Sequence, residues 1–138
     1  MDADSRIAAV RPLGVFPSGL AVLPVVRNSI AEHLDTYGSW RTPAFLELAR
    51  HLHGDAGIMR TARWCHETLV AVTKDGRESL FFAAWARAAD FLQDRGVYSG
   101  EGGVIGLAAA YAGWTVDYDA LKGLAASIQH EGGGPKAA

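Results

Sequence analysis

The sequence predicts an all-α protein, a compact bundle of five to six helices with an extended N-terminal arm and a flexible C-terminal tail. Three observations carry that expectation. Apolar residues recur at steps of three and four through most of the chain. Pro and Gly fall where helices start and stop, as at Pro43 and Gly54. Period-two alternation between hairpin turns is missing, with residues 69–72 and the N-terminal arm as weak alternatives. The expected organisation is an arm over 1–21, one helical domain over 22–131, and a Gly-rich tail over 132–138.

Composition agrees with a single globular unit. The 138 residues are 49% hydrophobic and 20% charged, which separates the chain from disordered sequences and allows a core without disulfide or structural metal. A formal charge of −2 argues against a general nucleic-acid binder. The single Cys cannot form an internal disulfide, so the expected compartment is the reducing cytoplasm. The apolar run over 13–26 is broken by Pro17, Gly19 and Pro24 and preceded by Asp2 and Asp4, which argues against a secretory signal and against a membrane span.

Taken in order, the first helix is expected between Pro24 and Gly38, with Val26, Ile30, Leu34 and Tyr37 inward and His33 on or beside that face. The second has Thr42 as N-cap, Pro43 in its first turn, Phe45, Leu48, Ala49 and Leu52 inward, and Gly54 as its stop. Residues 58–73 then read as the central helix, with Ile58, Ala62, Cys65, Leu69 and Val72 on one stripe. On that wheel His66 lies at the edge of the core and Trp64 projects from the far side with Glu67. A widely apolar helix is expected over 79–95, followed by a Gly-rich connector and a small-residue helix over 104–114 whose Gly106, Ala110 and Gly113 admit another backbone. A last helix is expected from Thr115 or Asp117 to about His130.

Several kinds of chemistry can be weighed against these elements. His33, His51, His53, Cys65, His66, Glu47 and Glu67 are metal-ligand types, but no H-E-x-x-H, C-x-x-C or Glu-x-x-His spacing joins them, so neither metal nor cofactor is expected. Cys65, His66 and His33 are the candidates for nucleophile and base, set against burial of the thiol on a core stripe. Trp64, His66, Trp85, Arg87, Tyr111 and Trp114 are the candidate lining of an apolar small-molecule pocket with polar handles. The sequence GEGGVIG lacks the strand and the Lys-Ser/Thr ending of a phosphate loop, Glu101 within it would repel phosphate, and it reads as a connector. Residues 45–64 resemble a helix-turn-helix in outline, with Arg60 and Arg63 as base readers.

The expectation that follows is a small soluble binding or regulatory protein acting through an apolar surface, most simply as a homodimer, with Trp64, Phe82 and Trp85 at the interface. Trp64→Ala is then expected to weaken association and leave the fold intact. A ligand-binding protein or small enzyme with an aromatic pocket near His66 is the alternative, and a helix-turn-helix regulator the third reading.

Overall fold

The computed structural model describes residues 5–7, 19–125 and 128–130. The rest of the expected arm and the 132–138 tail lie outside them. Among the described residues five α-helices dominate: α1 (Ile30–Tyr37), α2 (Thr42–His53), α3 (Glu78–Gln93), α4 (Glu101–Tyr111) and the four-residue α5 (Lys122–Ala125). The chain is therefore mostly helical, but it is not all-α. A three-stranded sheet is built from β2 (Leu20–Val22), β3 (Val70–Val72) and β4 (Val116–Asp117), with β2 in the middle. β2 runs antiparallel to β3 and parallel to β4. A separate antiparallel pair joins β1 (Ser5–Ile7) to β5 (Ile128–His130), so residues 128–130 are a strand where the last helix was expected.

Helices with strong punctuation form as expected. α2 ends at Gly54, whose φ of 71° is the left-handed conformation of a C-terminal stop, and its Phe45, Leu48 and Ala49 are fully buried. Thr42 is not its cap: it has helical backbone, and its buried Oγ1 has no hydrogen-bond partner among the described residues. α1 begins six residues after Pro24. Its start is fixed instead by a capping box, in which Ser29 Oγ accepts from the Glu32 amide and Glu32 Oε1 accepts from the Ser29 amide. Tyr37, expected inward, is 68% exposed.

The expected central helix over 58–73 is absent. Residues Ala56–Arg60 make a 3-10 turn, Asp55 capping it at the Gly57 amide, and the chain then continues without a helix, through a bridge at Arg63 and a bend at 67–68, to β3. Tertiary partners replace the helical hydrogen bonds: the Ile30 amide donates to Ala62 O, the Trp64 amide to Asn28 O and the Cys65 amide to Gly102 O, each at 3.0 Å. Extended backbone sends consecutive side chains to opposite sides. Trp64 accordingly enters a core with Phe45, Leu48, Leu92 and Leu107, whereas Cys65 enters a second core with Leu20, Phe81, Ala84 and Trp114.

Both cores share α3 and α4. α4 is buried continuously from Gly102 to Ala109, and its glycines explain how. A Cβ at Gly106 would overlap the Arg63 carbonyl oxygen, so this position admits the extended segment against the helix backbone. The Gly-rich segment read as a connector is thus the first turn of a packed helix. On the far side of the sheet, Ala21 and Leu23 pack with Leu121 and Leu124. Among the described residues no helix is long and apolar enough to cross a membrane.

Candidate functional site

The extended 62–65 segment, the 3-10 turn Ser39–Arg41 and the start of α4 meet at one cleft of about 370 Å³. Trp64, His33, Arg41, His66, Glu67, Ser99, Gly100 and Glu101 are among the residues that line it. Val26 and His33 also line an adjoining groove of about 500 Å³ that runs past Arg27 and Tyr37.

Aromatic rings form a ladder between the two hollows. His33 stacks on Trp64 with centroids 3.9 Å apart and planes 15° from parallel, and Tyr37 continues the ladder at 4.7 Å from His33. Trp64 is only 6% exposed and also contacts Phe45 at 6.3 Å. The expectation of an indole stranded on an outer face is therefore corrected; it rested on helical geometry that this segment does not have. The glycines at the start of α4 permit the close approach. A Cβ on Gly102 would lie 2.6 Å from Trp64 Cε2, and one on Gly103 would lie 2.6 Å from Phe45 Cε1.

Arg41 comes from the short turn before α2, and its burial is unusual for an Arg at 7% exposure. Its guanidinium lies over the Trp64 ring at 5.5 Å, and Nε donates to Gly38 O at 3.4 Å. Burial lowers the Arg41 pKa, yet an Arg remains a cation at neutral pH. Desolvation, helped by the charge of Arg41, also lowers the pKa of His33, which favours the neutral imidazole. With its proton on Nδ1, His33 donates to Asn28 Oδ1 at 3.4 Å and keeps the Nε2 lone pair. His66 is partly buried, and its Nδ1 is a buried atom without a hydrogen-bond partner among the described residues. At the α4 side, Glu101 Oε2 accepts from Trp85 Nε1 at 3.3 Å.

The other candidate residues are distributed elsewhere. Cys65 is fully buried, its Sγ–H pointing to Arg63 O at 3.7 Å, and desolvation pushes its pKa up to about 12. That environment opposes a thiolate nucleophile. Trp114 lies in the second core, donates from Nε1 to Asp75 Oδ2 at 3.1 Å, and borders a different cavity of about 400 Å³ with Arg63 and Tyr118. Arg87 lies 6.0 Å from the Tyr111 ring, away from the cleft. Trp85 reaches the cleft through Glu101, while Phe82 is 51% exposed on α3. His51 and His53 are separated, the first on Phe91 and the second on Leu107 O. Among the described residues no three His, Cys, Asp or Glu side chains are grouped to hold a metal ion.

The residues missed in the sequence are Arg41, Ser99, Gly100 and Glu101. Arg41 follows Trp40 immediately before a helix start, and no periodicity marks it as buried; the other three lay in the segment read as a connector. The helix that would have placed Arg60 and Arg63 as base readers is not formed, since Arg60 ends the 3-10 turn and Arg63 Nη1 donates to Arg27 O. Compared with protein-family models, curated proteins and solved structures, the chain matches none.

Proposed function

We propose that this chain is a small ligand-binding protein whose site is the cleft beside His66, with the adjoining Val26 and Tyr37 groove holding the rest of the ligand. The convergence of a ring ladder, a buried cation and two imidazoles at one concavity carries this reading. Binding sites commonly combine a flat apolar wall with a few convergent polar groups, and a hollow of this size takes a molecule of one or two rings. In the tautomer that donates from Nδ1 to Asn28, neutral His33 keeps an Nε2 lone pair suited to accept a hydrogen bond from that ligand or to take a proton from it.

The test is a titration of the ¹⁵N-labelled protein with a set of small aromatic compounds, read at the Trp64 indole N–H and the His66 and Gly100 amides. Progressive shifts at those positions are expected for part of the set. Shifts confined to the Trp114 cavity, or none anywhere, would reject the cleft as the site.

A second reading, self-association through α3, is favoured by a separate observation. Leu80 is 47% and Phe82 51% exposed, and Phe82 lies nearly parallel to Trp85 with centroids 6.4 Å apart. A second copy laid on this strip would cover surface that a monomer leaves in water. Sedimentation of the wild type and Phe82→Glu across a concentration series tests it. A wild type that stays monomeric at high micromolar concentration rejects it.

A further inference from the structure

Arg41 has no carboxylate within ion-pair distance among the described residues, although it is more than nine-tenths buried. The ion pairs that do form there lie on other arginines, Arg77 with Asp75 and Arg95 with Glu47. A cation removed from water ordinarily has an anion beside it, because desolvation is otherwise uncompensated. Arg41 has the Gly38 carbonyl and the face of Trp64, neither of them charged. Its Nη1 points toward the start of α4, where a Cβ on Gly100 would lie 3.6 Å away.

That helix start is itself uncompensated. Gly100 occupies the N-cap and has no side chain to accept a hydrogen bond. The Gly103 and Val104 amides turn back to Gly100 O, which leaves the Glu101 and Gly102 amides without a backbone acceptor among the described residues. Helix N-termini carry partial positive charge and bind oxyanions through such amides. His66 also lines this cleft, and its buried Nδ1 has no hydrogen-bond partner among the described residues.

We propose that the ligand of this cleft carries an oxyanion, a carboxylate or phosphate ester, seated between the Arg41 guanidinium and the N-terminus of α4, with a flat body on the Trp64 and His33 rings. The proposal rests on the cleft being the binding site and adds the chemical class of what it holds. Glu67 and Glu101 act against it and set its limits. Glu101 is engaged by the Trp85 indole, and Glu67 is exposed at the rim, where water screens it. A cationic ligand would satisfy those two acids but leave the more deeply buried Arg41 facing a like charge.

The test compares phenyl phosphate and benzoate with the neutral benzyl alcohol by calorimetry and by amide shifts on the full chain. Both anions are expected to bind at least about tenfold more tightly than the alcohol, the scale of a charge-assisted hydrogen-bond set, and to shift the Glu101 and Gly102 amides with the Trp64 indole. The stronger of the two anions identifies the ester or the carboxylate. Arg41→Gln should remove the preference, and Glu67→Gln, an exposed change that spares the fold, should tighten anion binding severalfold. Benzyl alcohol binding as tightly as the anions, with shifts in the same cleft, would overturn the oxyanion and leave the cleft standing. Failure of all three probes to move any cleft residue would remove both. Should Arg41→Gln not fold, the wild-type ranking and the response of Glu67→Gln still decide.

Discussion

Replacing Gly106 with Ala sets two physical effects against each other at a position where the winner is readable. Ala favours a helix interior over Gly by about 1 kcal/mol, so helix propensity alone predicts stabilisation. In this fold the added methyl meets main chain. It would overlap the Arg63 carbonyl oxygen, with the carbonyl carbon at 3.0 Å and Ile30 Cδ1 at 3.3 Å. The Arg63 segment cannot withdraw cheaply, because the amides of Trp64 and Cys65 are bonded to Asn28 O and Gly102 O on either side. Overpacking against a held backbone costs about 2–3 kcal/mol or more. The net expectation is a loss of about 1–2 kcal/mol, a fall in Tm of several degrees for a domain of this size. Gly123→Ala is the control, since a Cβ there meets nothing within 4 Å and the backbone is helical; it should be neutral or mildly stabilising. Urea unfolding followed by circular dichroism and Trp fluorescence measures both. If Gly106→Ala is as stable as Gly123→Ala, the close approach of α4 to the 62–65 segment is refuted.

Other outcomes follow from the same packing. Trp64→Ala should cost about 3–5 kcal/mol, as for other buried aromatic truncations, in contrast to the intact fold expected when Trp64 was placed on a surface; a variant with wild-type urea midpoint would contradict its burial. Cys65 should resist a chromogenic disulfide reagent at pH 8 in the native state and react promptly in urea, and fast native labelling would count against the buried thiol. Because its pKa is raised on folding, the thiol's contribution to stability is complete below its unfolded value of about 8.5 and is lost as pH rises toward about 12. Asp75 behaves oppositely: hydrogen bonds from the Arg77 side chain chiefly, and from Trp114, hold its carboxyl below the ordinary range. Its contribution is present above about pH 4 and lost as pH falls through the depressed value, so Asp75→Asn should flatten the acid limb of a stability profile that otherwise declines there.

The legible parts of the fold were those where local chemistry and tertiary packing agree. α2 is the clearest, because Pro43, the Phe45-to-Leu52 stripe and Gly54 each specify the same helix. Residues 58–73 failed for an identifiable reason. A short 3-10 turn, an extended run and a three-residue strand can share the three- and four-residue spacing of a helix when each is buried for its own reasons. Trp64 and Cys65 are adjacent and both buried, which one face of an amphipathic helix does not explain but an extended segment between two cores does. Strands of two or three residues leave too few alternations to register as a period. In the candidate site, Trp64 and His66 were singled out by residue type and His33 by its position beside a core stripe. Arg41 was invisible because nothing local distinguishes a buried Arg from a solvated one; its environment is made by Gly38, Trp64 and Gly100, which come together only in the fold.

The placement of β2 at the centre of its sheet has a consequence for how the chain acquires its structure. Leu20 pairs with Val72 on one side and with Val116 on the other, so the strand precedes both of its partners in the chain and is enclosed only after nearly all of the described chain has followed it. Its three residues are fully buried in the finished protein, and until β4 arrives one hydrogen-bonding edge and an apolar surface remain open. Closing so long a loop delays the final pairing, which makes this topology slower to complete than its helical content suggests. The unpaired β2 edge is then the place where a nascent or C-terminally truncated chain is most exposed to joining another chain instead of itself.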